Sequence, residues 1–419
     1  MINKNQQIKF GYQLTKIGVI PDVWEVTKLY SQIISIKSGV SVNSEDRKKN
    51  SNEYGILKTS SVSDGKFLPS KNKVISNANE LERAKLNPQI GHLLISRMNT
   101  PDLVGACAFI PETRKDLFIP DRLWLTATKA ASCNSQWLSY VLNTNYYKFQ
   151  LKLRATGTSN TMKNISKESF LGMKIPLPPL QEQQKIAEIL SSWEEAISKT
   201  QAVIKKLKKR NKGLAQQLLS GKKRLPGYKE EWKEKKLSSY FSERNETNFN
   251  DLPLLSVGEL GVYPQTESNK KDSSNEDKSK YKRICPGDIG YNTMRMWQGR
   301  SALSALEGIV SPAYTIVTPK ENASADFFAY LFKTEKLVHL FFRKSQGLVS
   351  DTLNCKFKDF KIVKVQAPTS IEEQQAIAKF LDQANDELKG YEQKLAVLQL
   401  QKKGLMQKLL TGEIRVKTN

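Results

Sequence analysis

The sequence predicts an α+β protein in which two related globular segments alternate with two long helices. The stretch PLPPLQEQQKIAEIL, which begins at Pro176, returns as QAPTSIEEQQAIAKFL from Gln366, and a long helical pattern follows each copy. The segments before the two copies mix alternating apolar patches with short helical patterns. Matched positions in the long tracts, such as Gln184 and Gln375, differ by 191 residues throughout. A constant offset of this kind is an internal repeat, so the chain is built twice.

The repeat divides the chain into five predicted segments. These are a polar N-terminal leader (1–17), a first globular domain (18–174), a first long spacer helix (175–222), a second globular domain (223–364), and a second long helix with its tail (365–419). Trp24 stands near the start of the first globular domain and Trp232 near the start of the second. The offset between matched positions in these domains varies from 190 to 208, so they share a skeleton and differ in their loops.

The long tracts have the pattern of helices with a narrow coiled-coil seam. Apolar residues recur in alternating steps of four and three, from Ile186 to Leu218 and again from Ile377 to Leu409. A helix of about forty residues is roughly 60 Å long. Start and stop signals are also present: Pro178 and Pro179 suit a helix start, and Ser370 with Glu373 predicts a capping box. Gly221 and Gly412 stand where left-handed C-cap glycines are expected.

Each seam needs a partner, because a lone helix of this length cannot bury its own apolar stripe. One alternative is that each helix pairs with its equivalent in a second chain. The other copy in the same chain is the favoured partner, because it has the same length and phase and is already tethered. Asn211 or Lys402, which are polar residues within the seam, would then help to fix the register.

Composition indicates a polyanionic partner. The chain has 66 Lys and Arg against 42 Asp and Glu, a formal net charge of +24, and nucleic acid is the usual partner of such a protein. The alternative is a basic surface that is merely solvated. Its four cysteines are far apart and its histidines number two, so a structural zinc site is not expected. With no secretory signal or membrane-spanning run, the sequence predicts a reducing, cytoplasmic location.

No catalytic motif stands out, and the sequence assigns no catalytic residue, metal or cofactor. An N/D-P-P-Y/F box for methylation of base amino groups is missing, and Gly221-Lys222 lacks the upstream glycine of a phosphate-binding loop. A metal nuclease using Asp22, Asp46 and Lys48 can be spelled out, although such matches arise by chance in a chain with 26% charged residues.

Two loops in each globular domain have the composition of nucleic-acid-reading elements. The first reading loop follows an apolar strand, and the second reading loop follows a helical pattern and surrounds a glycine. Arg and Asn can bond to base edges, and small hydroxyl residues beside cations suit phosphate contacts. We predict that the DNA-binding residues are Arg97 and Asn99 in the first loop and Arg154, Thr158, Ser159, Asn160 and Lys163 in the second; in the second copy they are Asn292, Arg295, Trp297 and Arg300, followed by Arg343, Lys344 and Ser350.

A run without acidic residues, 199–229, also carries many cations. It could be a solvated helix face, or a surface that lies along phosphates or meets a partner protein.

These motifs together resemble the specificity subunit of type I restriction–modification systems. The resemblance covers nearly the whole chain and lies in I-P-x-x-W, a G-x-[LI] strand, an [RK]-x-x-G-[TL] loop and the doubled E-Q-Q-x-I-A helix start. It departs in two places: the second helix start reads APTS where the first reads LPPL, and Trp297 and Gln298 have no counterpart in the first copy.

The resemblance implies a division of labour. The globular domains would be target recognition domains, each reading one half of a split double-stranded DNA site. The helices would pack as an antiparallel coiled coil that acts as a spacer and docks two methyltransferase subunits, to which restriction subunits attach. The specificity subunit itself has no catalysis. By resemblance, Glu182, Gln183, Gln184, Glu373, Gln374 and Gln375 lie near the partner contacts. A structural coiled-coil adaptor with incidental basic charge is the alternative from another functional class.

Overall fold

The computed structural model describes residues 9–157, 162–258, 261–267, 276–347 and 352–418. The chain divides into two compact units, one formed by Met1–Lys199 with Leu395–Asn419 and the other by Thr200–Lys394. Each unit therefore holds one globular part and a portion of both long helices. We call the globular parts head 1 (residues 9–179) and head 2 (residues 220–370).

Head 1 is a mixed α/β assembly. Its elements are β1 (Tyr12–Thr15), β2 (Gly18–Pro21), β3 (Glu25–Lys28), β4 (Ile33–Ser38), β5 (Gly55–Leu57), β6 (Val62–Ser63), β7 (Lys66–Phe67), β8 (Asn72–Val74), α1 (Ala78–Arg83), β9 (Leu93–Ser96), β10 (Met98–Asn99), β11 (Cys107–Phe109), β12 (Leu117–Phe118), β13 (Leu123–Thr128), α2 (Ser135–Leu142), α3 (Asn145–Arg154), β14 (Lys163–Asn164), α4 (Lys167–Leu171) and β15 (Lys174–Leu177). The main sheet has the order β4-β13-β9-β11-β7-β6. β1 lies within the predicted leader and pairs with β2.

The long helices are α5 (Leu180–Leu219) and α9 (Ile371–Leu410). Head 2 lies between them in the sequence and contains β16 (Lys233–Lys236), β17 (Phe241–Arg244), β18 (Leu255–Gly258), β19 (Gly261–Pro264), β20 (Lys282–Ile284), β21 (Ile289–Asn292), β22 (Ser301–Leu303), β23 (Gly308–Val310), β24 (Tyr314–Pro319), α6 (Ala325–Leu331), α7 (Glu335–Lys344), α8 (Phe357–Phe360) and β25 (Lys364–Ala367). Its main sheet has the order β17-β24-β21-β22.

The two heads share a framework. The order β4-β13-β9-β11 in head 1 corresponds to β17-β24-β21-β22 in head 2, and the pair β3–β15 corresponds to β16–β25. In each head a helix pair, α2–α3 or α6–α7, follows the central strand and packs on the sheet. Aromatic side chains fill the core: Trp124 and Phe170 in head 1, and a group centred on Phe241, Phe332 and Phe360 in head 2.

Both long helices end as the sequence predicts. Gly221 and Gly412 follow the last turns with φ of 70° and 75°, the left-handed conformation that glycine adopts without steric cost. At the start of α9, however, the predicted capping box forms only in part. Ser370 Oγ accepts a hydrogen bond from the backbone N–H of Glu373 at 3.1 Å. The Glu373 carboxylate turns away to bond with Arg224, a charged partner that the local pattern could not reveal.

The helices pack against each other in antiparallel fashion within each unit. In the second unit, Lys208 pairs with Glu392 at 2.8 Å, whereas Asn211, further along α5, bonds to the earlier residue Ala384. In the first unit, Lys402 of α9 lies 2.6 Å from Glu194 of α5. This confirms the α+β class with two long helices packed together, and it places the partner of each seam in the same chain.

The two polar seam residues bond across the helix pair, as a register device should. Asn211 is buried, and its Nδ2 donates to the carbonyl oxygen of Ala384 at 2.7 Å. Lys402 lies over the ring of Tyr140, 5.5 Å from the centroid, while it pairs with Glu194.

The four cysteines are free thiols. Burial raises the pKa of Cys133 and of Cys355 to about 12, so neither is a reactive thiolate at neutral pH. Within the described ranges, no helix combines the length and apolar character needed to cross a bilayer.

Asn211→Ala is expected to lower the free energy of unfolding by about 1–2 kcal/mol, because it removes a buried hydrogen bond across the seam. Chemical denaturation followed by circular dichroism measures the change. Gln217→Ala, at an exposed position of the same helix, is the matched control and should change stability by less than about 0.5 kcal/mol. Equal effects of the two substitutions would contradict a structural role for Asn211.

Candidate nucleic-acid interface

The two reading loops of head 1 lie side by side. β10, in the first reading loop, pairs antiparallel with β14, at the end of the second, so that Asn99 stands opposite Lys163. The backbone N–H of Ile165 extends this contact by donating to the carbonyl oxygen of Arg97 at 2.9 Å. Segments more than sixty positions apart in the sequence thus form one small ribbon.

Two polar side-chain atoms in this ribbon are buried without a hydrogen-bond partner among the described residues. They are Nε of Arg97, a donor, and Oδ1 of Asn164, an acceptor. An unsatisfied buried group is costly, so these two atoms mark a place where the packing of the head leaves polar groups unpaired. Asn164 was not among the predicted site residues, although it directly follows Lys163.

The other predicted DNA-binding residues of head 1 differ in how many of their polar atoms already make hydrogen bonds within the protein. Asn99 is buried: its Nδ2 donates to Ser96 Oγ, and its Oδ1 accepts from the backbone N–H of Thr100. A base contact would require Asn99 to give up these bonds. Arg154, at the end of α3, donates to the carbonyl oxygen of Gln150 at 3.1 Å, and Lys163 Nζ donates to the carbonyl oxygen of Gly157 at 2.7 Å. Thr158, Ser159 and Asn160 lie outside the described residues.

Head 2 builds the same backbone framework with different side chains. Thr293 takes the place of Arg97, and its carbonyl oxygen accepts from the N–H of Cys355 at 2.8 Å. The second reading loops close in the same way: Thr156 exchanges two backbone bonds with Asn164, and Gln346 exchanges two with Asn354, all at 2.8 Å.

A glycine follows each of these closing pairs because no other residue fits. Gly157 has φ of 147° and Gly347 has φ of 149°. A Cβ at either position would come within 2.7 Å of backbone across the loop. The repeated glycine in the sequence therefore marks a real and equivalent turn.

The first reading loop of head 2 is longer and carries an aromatic element without counterpart in head 1. Residues 296–298 form a 3₁₀ turn after β21, in which the indole N–H of Trp297 donates to the carbonyl oxygen of Met294 at 2.9 Å. The Trp297 ring packs edge-on against the ring of Phe342 in α7, with 6.1 Å between the ring centroids. Asn292 and Arg295 are half-buried in this loop, and Arg300 is exposed.

In the second reading loop of head 2, Arg343 and Lys344 are exposed in the last turn of α7. Their charges face the negative end of the helix dipole, which favours cations there. Ser350 lies outside the described residues.

The residues at the start of α5 form a buried ionic cluster. Glu182 is 2% exposed, and its carboxylate accepts from Trp24 Nε1 at 2.9 Å. Arg415, which follows α9, grips the same carboxylate with two hydrogen bonds of 2.6 and 2.8 Å. The bound carboxylate raises the pKa of Arg415.

The second unit repeats this cluster. Glu373, at the start of α9, is 1% exposed and accepts from Trp232 Nε1 at 3.3 Å. Arg224, which follows α5, bonds to the carboxylate at 2.5 and 2.6 Å. Arg224 and Arg415 differ by 191 positions, so the repeat offset could have identified this pair from the sequence.

The next residue of each helix ties the helix to its head. Gln183 accepts from the N–H of Asn134 at 2.8 Å and donates to the carbonyl oxygens of Ser132 and Pro178. Gln374 makes the equivalent bonds with Ser324, Asn322 and Pro368.

Burial separates the six predicted partner-binding residues into two groups. Glu182, Gln183, Glu373 and Gln374 are buried and bonded within their own unit, whereas Gln184 and Gln375 are exposed. A direct partner contact therefore stays a prediction that suits Gln184 and Gln375.

The positive charge of the acid-free run 199–229 is partly neutralised by carboxylates from elsewhere in the second unit. Arg210 pairs with Glu387 at 2.7 Å, and Lys212 lies 3.6 Å from Glu335.

Of the nuclease candidates, Asp46 is paired with Lys58 at 2.7 Å and with Lys73 at 3.4 Å, and the hydrogen bond from Lys58 lowers the pKa of Asp46. Within the described residues, no group of three or more His, Cys, Asp or Glu side chains is placed to hold a metal ion.

Comparison with known proteins places these features in a family. The sequence matches the family "Type I restriction modification DNA specificity domain" twice, over residues 21–209 and 229–399. The two matches each contain most of a head and most of the helix that follows it.

Two relatives come from Methanocaldococcus jannaschii. One, provisionally assigned as the MjaX specificity subunit of a type I restriction enzyme, is 27% identical over 97% of both chains. The MjaVIII specificity subunit of a type I restriction enzyme is 26% identical over 95% of this chain and 94% of its own. The fold is similar to that of the S subunit of a type I restriction-modification system from M. genitalium, with a TM-score of 0.58 and 15% identity over 97% and 99% of the two chains.

Arg224→Met is expected to destabilise the second unit by on the order of 3 kcal/mol, because it leaves the Glu373 carboxylate buried without its charged partner. Hydrogen exchange measured by mass spectrometry should show loss of protection around residues 224–240 and 371–381.

The double variant Arg224→Met/Glu373→Gln should recover most of the protection, since no unpaired charge remains. Arg415→Met is the matched control and should move the loss of protection to residues 12–30 and 180–190 in the first unit. Each cluster is expected to stabilise only its own unit. A uniform loss of hydrogen-exchange protection over the whole chain after either single substitution would contradict this.

Proposed function

The chain belongs to the type I restriction modification DNA specificity domain family and is the specificity subunit of such a system, and we propose how it reads its target. Each head is a target recognition domain that reads one half of a bipartite double-stranded DNA site. The two long helices set the distance between the half-sites and dock the methyltransferase subunits. Catalysis belongs to other subunits of the complex.

The observation that carries this proposal is the contrast between framework and loops. Both heads close their second reading loop with the same backbone bonds and the same left-handed glycine. The side chains on that framework differ: head 1 has Arg97 where head 2 has Thr293, and the Trp297 turn with Arg300 occurs in head 2. Two unlike surfaces on one framework are what a protein needs to read two unlike sequences in the same way.

The chemistry of the loops suits duplex DNA. Arg97 and Asn164 lie in the same small ribbon of head 1, and guanidinium and amide groups are the kinds of group that read the edges of bases. Arg343, Lys344 and Arg154 stand at helix ends beside the second reading loops and would fix orientation through phosphates. A net charge of +24 supplies the long-range attraction.

The proposed complex contains this chain, DNA and other subunits of the restriction–modification system. Two methyltransferase subunits dock on the helices, one for each repeat, and restriction subunits attach to them. The complex works in the cytoplasm, which suits a protein with four free cysteines.

Arg97→Ala is expected to weaken binding to one half-site by about 1–3 kcal/mol and to relax base preference there, because it removes a base-reading cation from head 1. Selection from a random duplex library, with the methyltransferase subunits present, measures preference at both half-sites.

Arg300→Ala, which removes an exposed cation from the first reading loop of head 2, is the matched control and should affect only the other half-site. If both substitutions weaken all sequences equally, these residues contact phosphates and do not read bases.

Seven residues inserted into both helices, after Lys199 and after Lys394, are expected to lengthen the gap between half-sites and leave the half-sites themselves unchanged. One heptad keeps the seam in phase and adds roughly 10 Å to each helix, which is about three base pairs of duplex DNA. Mapping of methylated bases in cells that carry the variant gives the new gap.

The same insertion in the exposed turn at Asn50–Ser51 is the control and should leave the gap as it was. An unchanged gap after the helix insertion would count against the helices as the spacing device.

A further inference from the structure

In both heads the first reading loop, which joins β9 to β11 or β21 to β22, contacts the helix that leads into the second reading loop. In head 1 this contact is an ion pair: Lys152 of α3 lies 2.7 Å from Asp102, and both side chains are exposed. In head 2 it is an aromatic pair between Phe342 of α7 and Trp297. Phe342 stands 190 positions after Lys152, which is the offset between α3 and α7. The same place in the framework is therefore polar in one head and apolar in the other.

Three apolar side chains come together at this place in head 2. Met294 is 43% exposed and Phe342 is 47% exposed, and the Trp297 ring packs edge-on against Phe342. The carbonyl oxygen of Met294 accepts the indole N–H of Trp297, so these two residues are also in contact. We call Met294, Trp297 and Phe342 the apolar tip of head 2. Large apolar side chains that are exposed as a group, and not singly, are typical of a binding surface.

The apolar tip is held in a fixed position by the rest of head 2. Met296, in the same 3₁₀ turn, is fully buried in the core. Gly299 ends the turn with φ of 75°, and a Cβ there would come within 3.0 Å of Val338 in α7. Just before the turn, the backbone N–H of Cys355 donates to the carbonyl oxygen of Thr293. A contact made by this tip costs little conformational entropy, because its geometry is set before a ligand arrives.

The charged residues beside the apolar tip in the sequence are all cations. The stretches 289–306 and 336–350 contain no Asp or Glu, and they carry Arg295, Arg300, Lys336, Arg343 and Lys344. Apolar groups framed by cations are complementary to a groove of duplex DNA, in which the base edges lie between two phosphate backbones.

The chemistry of the tip selects one group on a base pair. The indole N–H of Trp297 already donates within the loop at 2.9 Å, so its ring offers a base only apolar surface. Among the groups that base pairs display in the major groove, the 5-methyl group of thymine is the apolar one. Insertion between stacked bases fits less well, because Trp297 is half-buried and packed against Phe342, whereas an inserted side chain needs both of its faces free.

We propose that the apolar tip contacts the 5-methyl group of a thymine in the half-site that head 2 reads. This inference rests on the proposed function and deepens it, because it assigns a base to one half of the target. The tip supplies the apolar surface, and the cations beside it hold the DNA backbone. Head 1, which has Lys152 and Asp102 at the equivalent place, makes no such contact.

Replacement of thymine by deoxyuridine tests the proposal, because it removes the 5-methyl group and keeps the pairing with adenine. Binding of the natural chain, with the methyltransferase subunits of the same system, is measured for duplexes that carry one replacement at each thymine of both half-sites in turn. The half-site of head 2 is the one whose base preference responds to Arg300→Ala. At one thymine of that half-site, we expect the dissociation constant to rise about fourfold, the effect of leaving one methyl-sized group unburied.

Trp297→Ala should bind the natural duplex several-fold more weakly and should lose the difference between thymine and deoxyuridine at that position. Ile362→Ala, at an exposed apolar position of head 2 outside the reading loops, is the matched control and should keep the difference.

Equal binding of the natural chain to the thymine duplex and to every deoxyuridine duplex would overturn the inference and leave the proposed function standing. This result needs no variant that could fail to fold. A difference that persists in Trp297→Ala, or one confined to the half-site of head 1, would overturn the inference as well. A natural chain that binds all duplex sequences equally would instead overturn the proposed function itself.

Discussion

The buried carboxylates at the starts of the two long helices hold the structure of each unit together. Glu182 is gripped by a tryptophan from head 1 and by Arg415, which comes after the other helix has ended. Glu373 is gripped in the same way by Trp232 and Arg224. A carboxylate that is almost fully buried is tolerated only with such partners, so each cluster ties a helix start to a head and to the end of the other helix.

This constraint explains why the compact units do not follow the order of the chain. The C-terminal segment belongs with head 1, because Arg415 and the turn at Gly412 complete the cluster around Glu182. The first residues of head 2, where Arg224 follows α5, do the same for Glu373. The framework of each unit is therefore fixed by residues that the repeat preserves, and the reading loops remain free to differ.

Much of this architecture could be predicted from the sequence, because it depends on regular patterns. Steps of four and three gave both helices, and the glycine stops at Gly221 and Gly412 gave their ends. The loops that meet in head 1 were found by composition, but their pairing was not, since β10 and β14 are joined by long-range backbone bonds. The sequence also did not reveal that Glu182 and Gln183 are buried and bonded within the first unit, because a helix pattern does not say which polar residues face a head. The constant repeat offset of 191 could have identified Arg224 and Arg415 as an equivalent pair from the sequence alone. Asn164 could not be singled out from the sequence, because only the structure shows that its Oδ1 is buried without a partner among the described residues.

The account predicts that one chain specifies one DNA motif with two unlike halves. Genome-wide mapping of methylated bases in cells with and without this chain tests this most directly. A single motif of two different short sequences, separated by a gap of constant length and methylated only when the chain is present, is the expected result. A motif that persists without the chain, or one whose two halves are the same sequence, would contradict it.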